Sequence, residues 1–190
     1  QGSATSGAHW SHVDLSGLNT FTANVQSLLI AYEDDSQNQN RRPSGRLILA
    51  KTNYITCTSP GIGYQIAEVK QQAGQPCTNL LGQVNYFNVN SMRIGGAKFG
   101  TPTVPTRFSF KPGLVSPSVT FRDATGAGRQ TAWYIGDDFT TYNSSGSSVG
   151  IIDLSGGTVD ALVDTIYAGR GQQYCVTYYG GGNGTLTFNA

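Results

Sequence analysis

Residues 107–142 read RFSFKPGLVSPSVTFRDATGAGRQTAWYIGDDFTTY, and this stretch decides the fold class. Turn sequences divide it into three segments, because Lys111-Pro112-Gly113 and Asp123-Ala124-Thr125-Gly126 offer the fixed φ of proline and the positive φ that glycine tolerates. Within each segment, large apolar residues recur at every second position, which is typical of β-strands. These residues are Phe108, Phe110, Val119, Phe121, Trp133 and Ile135. The stretch predicts a three-stranded meander at the centre of a β-rich core.

Short segments rich in β-forming residues continue on both sides of this stretch. Glycine-rich and polar turns separate them, among them the run Gly180-Gly181-Gly182-Asn183-Gly184, which we interpret as a hairpin loop. We find no internal repeat. Short strands at this spacing are typical of β-sandwiches and barrels. The predicted strands cover residues 46–57, 64–69, 83–94, 173–179 and 185–188.

Two segments have the apolar spacing of helices. Residues 18–33 are predicted to form an amphipathic helix, with a β-strand over 22–32 as the alternative. Residues 158–168 predict a short second helix that Thr158 caps and Gly169 ends, although a shift of one residue would make it a strand. The predicted fold is therefore mainly β: an antiparallel sandwich or sheet with one N-terminal helix and a short helix near 158–168. An N-terminal arm or edge segment, 1–14, precedes a single domain, 15–190.

The composition favours an extracellular or cell-surface protein. Of 190 residues only 12% are charged, so the polar surface must come mainly from Ser, Thr, Asn, Gln and Gly. The net charge of +1 and the absence of a basic cluster argue against a nucleic-acid partner. No apolar run is long enough to span a membrane. The chain begins at Gln1 without Met, which fits either a mature end after signal removal or the remnant of a cleaved tag.

Three cysteines are present: Cys57, Cys77 and Cys175. An odd number allows one disulfide and one free thiol. Cys57 and Cys77 enclose a short loop, so they are the favoured pair in an oxidising compartment. Two free thiols at these positions would instead indicate a reducing compartment and weaken the argument for export.

The sequence shows no motif for catalysis. His9 and His12 lie near the N-terminus, and no nucleophile motif or phosphate-binding loop is present. Asp137-Asp138 could bind a divalent cation, but the preceding glycine favours a turn. We therefore predict no enzymatic activity, no cofactor and no catalytic or metal-binding residue.

Aromatic residues in the last third of the chain suggest a contact surface. Tyrosine combines an apolar ring with a polar tip, and it occurs at subunit interfaces and on sugar-binding surfaces alike. The sequons at Asn143 and Asn183 are potential glycosylation sites. The predicted contact residues are Trp133, Tyr134, Tyr142, Tyr178 and Tyr179.

Two segments together resemble the soluble domain of GspH/FimT-type minor pilins and pseudopilins. Residues 23–57 read as a helix, a polar loop and a strand, and FSFKPGLVSPSVTF is followed by DATGAGR. The resemblance spans 20–142 and implies a helix packed on a sheet, in a subunit that acts through assembly contacts. The hydrophobic half-helix of that family is missing, and 143–190 have no counterpart.

The sequence therefore predicts a structural subunit of an extracellular filament whose partners are copies of itself or other assembly subunits. Two alternatives are a viral coat or appendage protein with a jelly-roll core and a carbohydrate-binding adhesin with glycan partners.

Overall fold

The fold is all β in the part of the chain that the structure describes. This computed structural model describes residues 9–31, 43–68, 77–96, 105–137, 148–171 and 181–189. Those residues form 16 strands and no helix. None of them, accordingly, belongs to a helix that could cross a membrane.

The strands form three sheets in which every pairing is parallel. Sheet A contains β1 (His9–Asp14), β4 (Pro43–Ile48), β7 (Thr78–Leu81), β10 (Thr106–Phe110), β13 (Ser148–Asp153) and β16 (Gly182–Thr187). Sheet B contains β2 (Thr20–Val25), β5 (Thr52–Cys57), β8 (Val84–Val89), β11 (Ser118–Arg122) and β14 (Thr158–Ala161). Sheet C contains β3 (Leu28–Ile30), β6 (Tyr64–Glu68), β9 (Ser91–Gly96), β12 (Gln130–Asp137) and β15 (Val163–Ala168).

The chain visits sheets A, B and C in turn and then returns to sheet A. Each circuit is one coil, and each strand pairs with the corresponding strands of the neighbouring coils. This path makes a parallel β-helix, a solenoid with three faces around one core. The predicted antiparallel sandwich is therefore wrong.

The opening stretch shows where that prediction failed. Its three strands exist as β10, β11 and β12, and both turn glycines, Gly113 and Gly126, have positive φ as predicted. The strands do not pair with one another, however, because each belongs to a different sheet. The turns bend the chain around a corner and do not reverse it. Alternation identified the strands but carried no information about their partners.

Both predicted helices are also wrong. Residues 18–33 contain β2 and β3, and residues 158–168 contain β14 and β15. In each case two short strands meet at a corner, and the inward residues on either side of that corner lie three or four positions apart. This spacing imitates a helical stripe. The loss of the first helix also removes the fold that the pilin resemblance implied.

Aromatic rings fill the core of the middle coils. Phe87 and Phe121 stack with centroids 5.5 Å apart, and Trp133 packs edge-on against Phe121 at 4.7 Å. Tyr64 and Phe108 contact the same cluster from the other two sheets. All five residues are fully buried, so the centre of the solenoid is closely packed.

Buried asparagines hold the corner between sheets A and B. The Asn53 side chain donates to Asn85 Oδ1 at 2.9 Å, and each asparagine also bonds the backbone three residues before it. Asn85 Nδ2 continues the row by donating to Ser118 O at 3.0 Å. Some corner backbone groups bond from coil to coil, as Lys51 N–H does to Leu18 O, and the amides supply the hydrogen bonds of Ala50 and Gly82.

Glycines allow sheets A and C to approach one another at the corner that they share. Gly136 has φ of 56°, and a Cβ there would lie 2.1 Å from the Asn183 carbonyl oxygen. A Cβ at Gly150 would lie 2.1 Å from the carbonyl oxygen of Ile94. No side chain fits at either position. Part of the glycine-rich run at 180–184, interpreted as a hairpin loop, belongs to β16 in this corner.

We expect Asn85→Ala to lower the free energy of unfolding by on the order of 3 kcal/mol, because several buried backbone and amide groups lose their partners. Asn88→Ala is the matched control, since Asn88 faces outward on the same strand and should change stability by less than about 0.5 kcal/mol. Denaturant titration of both variants measures the difference. Equal losses would show that the asparagine row does not hold the corner.

Candidate binding surfaces

One candidate surface, the sheet C cluster, consists of Arg93, Tyr134, Asp137, Tyr167 and Arg170. The Asp137 carboxylate is fully buried and accepts two bonds from Arg170: Nε to Oδ1 at 2.8 Å and Nη2 to Oδ2 at 3.1 Å. Arg93 Nη2 lies 3.5 Å from Oδ2. Such bidentate pairing is directional and strong. The hydrogen bond to Asp137 is the main cause that raises the pKa of Arg170.

The two tyrosines of the cluster stack on neighbouring strands. Their ring centroids lie 5.3 Å apart with an interplanar angle of 7°. The Arg170 guanidinium lies 4.4 Å from the Tyr167 centroid, and Arg93 lies 5.5 Å from that of Tyr134. These are cation–π distances. The cluster therefore clamps β9, β12 and β15 together from outside, and its contacts are mostly internal.

A second candidate surface is the outward face of sheet B, where Tyr54 and Tyr86 stack. Their centroids are 5.0 Å apart and their planes differ by 2°. The β-register places Thr22 beside Tyr54 and Thr120 beside Tyr86. Tyr54 is 45% exposed. Unlike the sheet C cluster, this tyrosine pair has an accessible ring with small neighbours.

The predicted contact residues do not form one surface. Trp133 is fully buried, and its Nε1 donates to Gln130 Oε1 in the core. Tyr134 faces outward in the sheet C cluster. Tyr142, Tyr178 and Tyr179 lie outside the described residues. Trp133 therefore cannot contribute to an exposed surface, because the period-two pattern that identified its strand also directs it inward.

Cys57 and Cys77 are separate buried thiols, not a disulfide. Burial raises the pKa of Cys57 to about 11 and also raises that of Cys77. The Gly45 backbone N–H donates to Cys77 Sγ at 3.4 Å. Cys175 lies outside the described residues. The thiols therefore offer no support for an oxidising compartment, and both act as core residues.

The remaining predicted polar sites are dispersed. Among the described ranges, no group of three or more His, Cys, Asp or Glu residues could hold a metal ion. Asp137 is held by arginines, while Asp138 and Asn143 fall outside those ranges. Asn183 is exposed on β16. His12 lies on the edge strand β1.

Repeats in the sequence could have revealed these surfaces. Asn53-Tyr54 recurs 32 residues later as Asn85-Tyr86, one coil further along. Asp-Leu-Ser-Gly occurs at 14–17 and again at 153–156. In both copies the aspartate accepts a hydrogen bond from the serine N–H at the corner between sheets A and B. Arg93 and Arg170 carry no comparable sequence signal, since only the register brings them together.

No protein-family model, curated protein or solved structure matches this chain. Functional inference therefore rests on the geometry of the chain itself.

Replacement of Asp137 by Asn should lower the free energy of unfolding by about 2 kcal/mol, because a buried amide donor then faces two guanidinium groups. Asp164→Asn is the control: the Arg129–Asp164 pair is more than half exposed on both sides. Solvent screens such a pair, so this change should stay within about 0.5 kcal/mol. Thermal or denaturant unfolding compares the two variants, and similar losses would contradict the clamp.

The buried thiols should make the fold sensitive to alkaline pH. The pKa of Cys57 is about 11 in the folded state against an ordinary value of 9.0, so the folded state binds more protons between those values. The contribution of Cys57 to the free energy of unfolding is therefore fully present below pH 9.0 and is lost as the pH rises towards about 11. Denaturant titrations across this pH range measure the fall. Cys57→Ala should reduce it, and an unchanged slope would contradict the assignment.

Proposed function

We propose that the chain is a structural subunit of an extracellular assembly, built by contacts between the ends of identical solenoids. One observation carries the proposal: in the described part of the chain, inward apolar residues of the outermost strands are exposed. Val13 and Val25 in the first coil are 44% and 37% exposed, whereas their register partners in the next coil, Leu47 and Cys57, are 3% and 0% exposed. At the other end Ile166 is 45% exposed.

Repeat proteins that remain separate normally close their ends with polar capping units. Neither end has such a unit among the described residues. The strands β2 and β3 have the sequences TFTANV and LLI, which contain no charge and no proline. Free edges without such residues readily pair with another chain. A second copy of this chain offers an identical edge, so it is the occupant that we propose.

The helical path determines how two copies fit. Each end consists of three consecutive strands, β1 to β3 or β14 to β16, and each strand lies about a third of a coil further along the axis than the one before. A two-fold axis through the middle strand brings two identical ends together so that each strand of one copy faces a strand of the other at a matching level. Two copies therefore pair through identical ends. At the first end β2 of one copy pairs antiparallel with β2 of the other, and at the second end β15 pairs antiparallel with β15.

Head-to-tail stacking fits less well, because the chain begins and ends on sheet A. If β2 of one copy continued sheet B after β14 of another, β1 would occupy the level already held by β16. Alternating contacts between like ends would instead produce a linear assembly with no polarity. The extracellular location rests on the low charge and abundant small polar residues.

Variants at the two ends test this assembly. Val25→Asp places a charge at the first end and should limit the protein to pairs joined through the second. Ile166→Asp should limit it to pairs joined through the first, and the double variant should be monomeric. Light scattering after size-exclusion chromatography measures the mass, and electron microscopy should show linear particles only for the unmodified chain.

Val115→Asp is the control, because Val115 is 81% exposed and lies at the corner between β10 and β11, one coil inside the second end. This variant should assemble like the unmodified chain. Thermal unfolding of each variant checks that it is folded. An unmodified chain that stays monomeric at its highest soluble concentration would overturn the proposal.

A further inference from the structure

The outward face of sheet B has the chemistry of a surface for neutral sugars. Its side chains are hydroxyls, amides and two tyrosines, apart from Val84 and one ion pair, Arg122–Asp160. Arg122 also donates to the backbone oxygens of Phe121 and Asp160. That pair is internally neutralised, so the strands of this face offer no net charge to a ligand. The central row across the coils reads Thr22, Tyr54, Tyr86, Thr120 and Asp160.

The stacking geometry leaves ring faces available. Strands in a sheet lie about 4.8 Å apart, close to the 5.0 Å between the Tyr54 and Tyr86 centroids, so the rings stand on edge and face along the solenoid axis. One face of each ring covers the other tyrosine. The second face of Tyr54 looks over Thr22, and the second face of Tyr86 looks over Thr120. Threonine is too short to cover the outer part of either ring.

We propose that the Tyr54–Tyr86 row binds a neutral oligosaccharide, with a sugar ring stacked on the open face of Tyr54 above Thr22. Aromatic rings of this kind, with an apolar body and a polar tip, combine stacking with hydrogen bonding. The hydroxyl groups of Thr22 and Tyr54 make no hydrogen bond within the described part of the molecule, so both remain for sugar hydroxyls. The equivalent position on Tyr86 above Thr120 forms a second subsite along the same row.

The sheet C cluster fits such a ligand less well. There the arginines lie over the tyrosine rings, and two guanidinium groups share one carboxylate. Cationic guanidinium groups at this face would favour an acidic ligand. The face of sheet B thus predicts a neutral ligand and the sheet C cluster predicts an acidic one, and the test distinguishes the two.

The test is a glycan array that contains neutral and acidic oligosaccharides, followed by calorimetric titration of each oligosaccharide bound. The unmodified chain should bind neutral members. Tyr54→Ala should weaken that binding at least tenfold, whereas Tyr54→Phe should retain most of it because the ring face remains. Tyr134→Ala, on the other face, should leave the affinity unchanged. Tyr54 is 45% exposed and stacks on Tyr86, and Tyr134 stacks on Tyr167, so each alanine variant should lose a modest amount of stability and remain folded. Thermal unfolding confirms that each variant is folded at the temperature of the titration.

Three results would overturn this proposal: no binding to any neutral glycan, binding that survives Tyr54→Ala, or binding confined to acidic glycans and lost in Arg93→Gln. Ile166→Asp lies on sheet C at the end opposite to Thr22, so this assembly variant should not affect sugar affinity. Failure of end-to-end assembly and failure of sugar binding are therefore distinguishable.

Discussion

Every described strand makes its ladder hydrogen bonds with strands of neighbouring coils and none with the next strand along the chain. This constraint shapes the rest of the molecule. A single coil can neither pair its backbone N–H and C=O groups nor bury its apolar side chains. Each coil therefore depends on the coils above and below it. The same stacking buries the inward residues of the middle coils, whereas Val13, Val25 and Ile166, on the outermost described strands, are partly exposed.

The corners between the sheets need residues that stabilise the backbone there. At each corner the backbone leaves a sheet, and its polar groups need other partners. Between sheets A and B, Asn53 and Asn85 supply them. Between sheets C and A, glycine lets backbone approach backbone, and Gly136 and Gly150 have no room for a side chain. These two asparagines and two glycines therefore have structural roles at the corners.

The parallel register also builds the outer faces. It aligns each outward residue with its counterparts one coil away, so like side chains form rows: Tyr54 with Tyr86 on sheet B, and Tyr134 with Tyr167 on sheet C. The sheet C row is covered by arginines that Asp137 holds, and its role is largely structural. The sheet B row is open and uncharged.

Local patterns in the sequence determined the β-rich class, the strands at Phe108, Phe121 and Trp133, and the positive φ of Gly113 and Gly126. These features depend on each residue and its immediate neighbours. Corners between short strands imitated helical spacing at 18–33 and 158–168. The recurrences of Asn-Tyr and of Asp-Leu-Ser-Gly were the local signs of repeating coils. Only the tertiary structure decided that the strands are parallel and that Arg93, Asp137 and Arg170 meet. Those outcomes depend on pairing between coils some thirty or more residues apart, and alternation along a single strand does not encode its partner.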